Sequence, residues 1–174
     1  MSSDIAHTTI ETPIGRLTLV ASSTGLREVW FPTEDADPHG TEDPSHPMLV
    51  AAAGQLGEYF AGTRQEFDIP LDPQGTPFQL AAWRGLTTIP FGETVSYGEQ
   101  AARIGLPGKA RAIGAANGRN PLPIVVPCHR VVGSDGSLVG FGGGLETKAW
   151  LLHHERQVLG LELPLTPPRP TLRR

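Results

Sequence analysis

The chain is predicted to be an α+β protein, with a small N-terminal domain built from an antiparallel sheet and a helix, then a mostly helical C-terminal domain containing a helix-turn-helix. Three observations carry this. Apolar residues alternate on either side of a turn near the N-terminus, they recur at helical spacing over residues 48–60, and a capping-box pattern at Ser96 and Glu99 opens a pair of short helices.

Thr8 and Ile10, then Leu17 and Leu19, flank Thr12-Pro13-Ile14-Gly15 and predict a hairpin. Gly25 supplies a turn into a third strand at 26–31, where Val29, Trp30 and Phe31 suit a pleated surface. Residues 32–47 are rich in Pro, Asp, Glu and Gly and read as a loop. Leu49, Ala52, Ala53, Leu56, Tyr59 and Phe60 then mark a helix stopped by Gly62. A short strand is expected at 67–71, and the turn-rich 72–77 is the domain boundary, separating domains at 1–75 and 76–160.

The second domain starts with a helix at 78–86. The capping box starts another at 97–104, Leu106-Pro107-Gly108 interrupts it, and 109–118 resumes as a helix of mostly small residues with Arg111 as its main projection. Ile124-Val125-Val126 reads as a strand ending at Cys128. Turns follow at 133–136 and 141–144, then a helix at 145–159. The Pro/Arg-rich tail at 161–174 is expected to be disordered.

The net charge of −4 hides a division along the chain. Residues 1–77 hold three basic and twelve acidic side chains, whereas 78–156 hold eight basic and five acidic. Arg103, Lys109, Arg111, Arg119 and Arg130 fall in a stretch with no acidic residue, a footprint suited to phosphates. The glycines at 142–144 lack the following Lys-Ser/Thr of a P-loop. No targeting segment or apolar run of membrane-spanning length is apparent, and a lone cysteine excludes an internal disulfide, so the expectation is a soluble cytoplasmic protein.

That cysteine sits in Pro127-Cys128-His129-Arg130-Val131. A thiolate is a strong nucleophile and an imidazole can be its base. In a strand, however, neighbouring side chains point to opposite faces. Either the chain turns tightly at Cys128, or water relays the proton between thiol and ring.

These features together resemble the O6-alkylguanine-DNA alkyltransferase family. The resemblance rests on the Cys128 pentapeptide, Tyr97 in Val95-Ser96-Tyr97-Gly98, Arg111, Asn120-Pro121, and Glu155 after Trp150-Leu151-Leu152. It is specific over about residues 78–160 and mainly architectural over 1–75, where it implies a ribonuclease H-like domain. It implies direct-reversal DNA repair, in which Cys128 takes the alkyl group, chiefly methyl, from O6-alkylguanine, and also from O4-alkylthymine, and keeps it.

By the same resemblance His129 is the base through water, Glu155 orients it, Asn120 holds the turn under the reactive segment, and Tyr97 assists nucleotide rotation or guanine protonation. Arg111 is the finger that fills the vacated stack, with Lys109, Ala112, Ala115, Asn117 and Arg119 as further DNA contacts in the minor groove. Val131, Phe141, Gly142 and Gly143 form the substrate pocket. Phe141 stands where some relatives carry tyrosine, and the N-terminal part lacks the cysteines of a structural zinc site, so neither metal nor cofactor is expected. The partner implied is double-stranded DNA containing alkylated guanine, met by a monomer, with cooperative loading left open. A thiol hydrolase using Cys128, His129 and Glu155, and a non-catalytic alkyltransferase-like DNA-binding protein, are the alternatives; the latter class replaces the cysteine, which Cys128 argues against.

Overall fold

The computed structural model describes residues 4–161 except Thr33, Asp35, Asp37 and His39, so the expected disorder of the C-terminal tail beyond Leu161 falls outside the described residues. The chain divides into two compact units after Gln74. Among the described residues, no helix is long and apolar enough to cross a membrane.

In the first unit, β1 (Ala6–Thr12) and β2 (Gly15–Ala21) form the hairpin, paired from Thr12–Gly15 to Ala6–Ala21. Thr12 closes the turn: its hydroxyl donates to the Gly15 carbonyl at 2.6 Å and accepts from the Ile14 amide at 3.2 Å. Alternation puts Leu17 and Leu19 fully inside. β3 (Leu26–Trp30) pairs antiparallel with β2.

The helix α1 (Pro47–Ala61) packs Leu49, Ala52, Leu56 and Tyr59 against this sheet. His46 caps its start, Pro47 occupies the first turn where a missing N–H costs nothing, and Gly62 ends it in the left-handed conformation at φ 82°.

Two expectations are corrected here. The 32–47 loop contains β4 (Thr41–Glu42), which runs parallel to β1, so the order is β3-β2-β1-β4 and the sheet is mixed at that edge. Residues 67–71 give only a bridge between Leu26 and Leu71. Pro70 has no N–H to extend a ladder. The segment is anchored instead by Asp72, whose carboxylate accepts from Ser22 at 2.6 Å and Arg27 at 2.7 Å.

In the second unit, α2 (Pro77–Leu86) and α3 (Tyr97–Arg103) both start with capping boxes, Thr76 with Gln79 and Ser96 with Glu99. Each satisfies two amide donors that a helix start leaves open. Ile104 to Lys109 turns the chain, with Gly105 at φ 79° and Gly108 at φ 81°, into α4 (Ala110–Gly118). The three helices share a polar seam: Trp83 Nε1 donates to the Ala116 carbonyl at 2.8 Å, and Gln100 Nε2 reaches the Ala82 carbonyl at 3.3 Å. β5 (Val95–Ser96) pairs parallel with β6 (Val131–Val132), which brings Tyr97 beside the Cys128 segment, and α5 (Leu145–Val158) closes the unit.

Candidate functional site

Ile124-Val125-Val126 is not a strand. Leu122, Ile124, Val125 and Val126 are buried in a turn in which the Val126 amide donates to the Leu122 carbonyl at 2.8 Å. Pro121, Pro123 and Pro127 remove the donors a ladder would need. Asn120 holds the turn from both sides, accepting from the Leu122 amide at 2.9 Å and donating to the Val126 carbonyl at 2.8 Å. Ile124 takes φ 75°, a left-handed conformation that costs a β-branched residue on the order of 1–3 kcal/mol and persists where surrounding contacts impose it.

Pro127, at φ −81° and ψ 65°, makes an inverse γ-turn in which the Cys128 amide donates to the Val126 carbonyl at 2.8 Å. The chain then enters a 3₁₀ turn, Cys128–Arg130. The objection from strand alternation therefore falls: the chain turns at Cys128, leaving the thiol half-buried and His129 fully inside.

Behind the thiol lies a buried charge cluster centred on Glu155. Its Oε2 meets His129 Nε2 at 2.6 Å and Arg130 Nη2 at 3.0 Å, while Oε1 accepts from Arg130 Nε at 2.9 Å and the Gly92 amide at 3.0 Å. Arg130 also donates to the Ile89 carbonyl at 2.8 Å and lies over the Phe91 ring. Burial alone would raise the Glu155 pKa, but His129 and Arg130 outweigh it and hold the carboxyl well below the usual carboxylate range. Burial lowers the His129 pKa, with Glu155 pulling against it.

The resting state is thus an ionised Glu155 and a neutral His129. A carboxylate can only accept, so Nε2 carries the ring hydrogen and Nδ1 holds the lone pair. Nδ1 is buried without a hydrogen-bond partner among the described residues. It is the nitrogen able to take a proton. With Nε2 committed to Glu155, no direct hydrogen bond joins ring and thiol.

Sequence reasoning counted Arg130 in the basic footprint; the structure buries it to 5% exposure, so it belongs to this cluster. It also missed Lys148. Thr147 aside, the buried residues of α5 are Lys148, Leu151 and Glu155, spaced on one helix face, and that spacing was the available signal. Lys148 is fully enclosed. Its Nζ donates to the Val139 carbonyl at 2.9 Å, which also accepts from Tyr97 Oη at 3.0 Å, and it sits 5.9 Å from the Tyr97 ring centroid.

Burial raises the Cys128 thiol pKa, with the Asn120 side chain and the Lys148 charge pulling it down. Burial and the nearby Cys128 raise that of Tyr97, which keeps its phenol protonated and able to donate. Val131 is enclosed at 0% exposure in β6, so its side chain does not line an open pocket. Phe141 is half-buried, Gly142 exposed and Gly143 buried, in the segment that Tyr97 and Lys148 tether at Val139.

The exposed side of α4 carries Arg111, Ala112, Ala115, Gly118 and the following Arg119, with Lys109 exposed just before it. Asn117 is a correction. It is buried and paired through both amide atoms with Gln100, at 2.8 and 3.0 Å, so it fastens α4 to α3 and does not face outward. Replacing it by Leu leaves the buried Gln100 Oε1 without its donor, and an unfolding titration is expected to show a loss of about 1–3 kcal/mol. Unchanged stability would contradict that role.

Known proteins resemble both units of the chain. Residues 77–157 match the DNA-binding domain of 6-O-methylguanine DNA methyltransferase, and residues 5–73 match its ribonuclease-like domain. A methylated-DNA–protein-cysteine methyltransferase of Mycolicibacterium paratuberculosis is 51% identical over 154 residues, covering 88% of this chain and 93% of the relative. The constitutive methylated-DNA–protein-cysteine methyltransferase of Bacillus subtilis is 44% identical over 156 residues, covering 86% and 94%. A crystal structure of Mycobacterium tuberculosis OGT in complex with DNA superposes with a TM-score of 0.83 at 48% identity, covering 88% of this chain and 94% of that one. With its two domains matched in order and its thiol set against an internal His–Glu pair, the chain belongs to the methylated-DNA–protein-cysteine methyltransferase family.

Proposed function

We propose that this protein repairs DNA by direct reversal, moving the alkyl group of O6-alkylguanine, and of the chemically similar O4-alkylthymine, irreversibly to Cys128. The observation that carries the reading is a half-buried thiol one residue from a buried neutral imidazole held by an ionised carboxylate. That set can form a thiolate on demand while keeping the thiol protonated at rest. Relatives named for this reaction over nearly the full chain support it.

In the step, the Cys128 sulfur lone pair forms the S–CH₃ bond as the C–O6 bond breaks, and that electron pair stays on the guanine. The thiol proton passes to His129 Nδ1, through a water because no direct bond joins them, and Glu155 stabilises the imidazolium. Guanine then takes up one proton, for which the Tyr97 hydroxyl is the nearby donor and His129 the eventual source. The products are guanine and a thioether. A thioether has no proton to lose and no reverse reaction under these conditions, so Cys128 is consumed. A thiol hydrolase would turn over, and neither it nor a non-catalytic binder accounts for both Cys128 and the family match.

The target atom lies inside the duplex, so the nucleotide must leave the stack. Arg111 on the exposed small-residue face of α4 is the group proposed to fill the gap, with Lys109 and Arg119 on phosphates and Ala112 and Ala115 allowing the backbone close to the minor groove. The protein acts as a monomer in this reading. An assay of guanine regenerated from an O6-methylguanine duplex tests it. Arg111→Ala is expected to weaken duplex binding by roughly tenfold and slow the duplex reaction more than that with the free base. No regenerated guanine with the unmodified protein would overturn the function, and an Arg111→Ala protein repairing duplex at the normal rate would remove the finger.

A further inference from the structure

A carboxylate hydrogen-bonded to a buried histidine ordinarily draws a proton onto the ring, because each group stabilises the charge of the other. That is the wrong resting state for a base. An imidazolium has no lone pair, and the thiol proton needs one at His129 Nδ1, which lies buried without a hydrogen-bond partner among the described residues. Something must restrain Glu155, which sits 2.6 Å from His129 Nε2 with both side chains fully enclosed.

Arg130 is placed to do so. Its guanidinium takes the carboxylate side-on, Nε on Oε1 at 2.9 Å and Nη2 on Oε2 at 3.0 Å, so the oxygen that meets His129 is also held by a permanent cation. The fork is fixed in turn by the segment between α2 and β5. Arg130 Nη1 donates to the Ile89 carbonyl at 2.8 Å, the guanidinium carbon lies 5.6 Å from the centre of the Phe91 ring, and the Gly92 amide donates to Glu155 Oε1 at 3.0 Å. With the ring neutral, the charges of Arg130 and Glu155 cancel. Protonating the ring at rest would leave an uncompensated positive charge inside the protein, which is costly.

We propose that Arg130 is a positioning residue for the transfer: its forked hold on Glu155 keeps His129 unprotonated until the Cys128 proton arrives. The inference rests on the function proposed above and adds a third member to its base. The charged and titratable groups around the ring are Glu155 and Lys148 from α5, with Cys128 and Arg130 on its own turn. Burial and the Arg130 charge lower the ring's pKa, Lys148 adds to them in smaller measure, and Glu155 opposes all three. Removing Arg130 therefore frees Glu155 to protonate the ring. The same restraint makes the imidazolium a ready acid once it forms, so the proton passes on to the guanine. An ion pair that served the fold alone would change stability and leave the ring's titration where it is.

The His129 ring nitrogens are read by ¹⁵N NMR of the whole histidine-labelled protein, and methyl transfer from an O6-methylguanine duplex is followed against pH, in the unmodified protein, Arg130→Met and Arg130→Lys. Six histidines share the spectrum, so the His129 signals are assigned by their loss in His129→Gln. The Met variant is expected to raise the ring's titration by at least about one pH unit, a tenfold change in proton affinity, and to move the acid limb of the rate profile up with it. Lysine keeps the charge on one centre and cannot fork both oxygens, so Arg130→Lys is expected to shift both in the same direction by about half as much. A Met ring that titrates with the unmodified one overturns the proposal. If Met prevents folding, the Lys variant decides it: a ring and a rate profile superimposed on those of the unmodified protein overturn the proposal. No methyl transfer to the unmodified protein would sink the function itself, whereas transfer with an unshifted ring in the variants would sink only the role of Arg130.

Discussion

Cys128→Ser is expected to abolish alkyl transfer, by on the order of 10³-fold or more, while leaving duplex binding within about twofold. A serine hydroxyl is far harder to ionise than a thiol, and neither His129 nor Lys148 can compensate for that at neutral pH. The backbone that displays the side chain is unaffected, since the γ-turn at Pro127 and the Asn120 bonds involve no sulfur. The α4 residues proposed to meet DNA lie on a separate element. Gel-shift binding beside methyl-transfer kinetics separates the two effects. Transfer persisting in the serine variant would place the acceptor elsewhere.

Glu155→Gln is expected to be the most destabilising single change in the second unit, by about 3–5 kcal/mol, which lowers the unfolding midpoint by on the order of 10 °C. The amide keeps the size of the carboxylate but leaves the Arg130 guanidinium buried at 5% exposure without a counter-charge. It also removes the negative charge that would stabilise an imidazolium at His129 and leaves one oxygen for donors that two now hold, so transfer should fall even where the protein remains folded.

The same cluster sets the sign of the pH dependence. Both Glu155 and His129 have folded pKa values below their unfolded ones, so the unfolded chain binds more protons as the solution is acidified. Stability from His129 is complete above about pH 6.5 and is lost as pH falls through its lowered folded value; that from Glu155 is complete above about pH 4.3 and lost below it. The Gln variant should lose the lower part of this acid dependence. Thermal melts between pH 2 and pH 8 check it, and curves for the two proteins that stay parallel below about pH 4.3 would contradict the assignment.

Much of the fold was legible because it is written in local patterns. The hairpin at Thr12–Gly15, the Ser96–Glu99 capping box and the Gly62 stop are each decided within a few residues, and all are in the structure. The failures arose where longer contacts override local preference. Ile124-Val125-Val126 has the composition of a strand, but three prolines and the Asn120 side chain impose a turn that no propensity anticipates. β4 is a two-residue edge supported by its partner, invisible in a stretch of Pro, Asp and Gly.

The site was partly legible for a related reason. Cys128, His129, Asn120 and Glu155 lie in one neighbourhood, and the resemblance supplied all four. Arg130, Lys148 and Asn117 were misread or missed because charge and polarity were taken as signs of exposure. The partners that bury Arg130 and Asn117 lie 17 to 41 residues away, which composition cannot reveal.

The central claim is that Cys128 is a single-use acceptor. Excess duplex containing O6-methylguanine is incubated with the protein until reaction stops, and the modified peptides are mapped by mass spectrometry. The account predicts one methyl group per protein, carried on Cys128, and guanine formed in equal amount. Guanine continuing to form beyond that equivalence, or a methyl group mapped to any other residue, would contradict it.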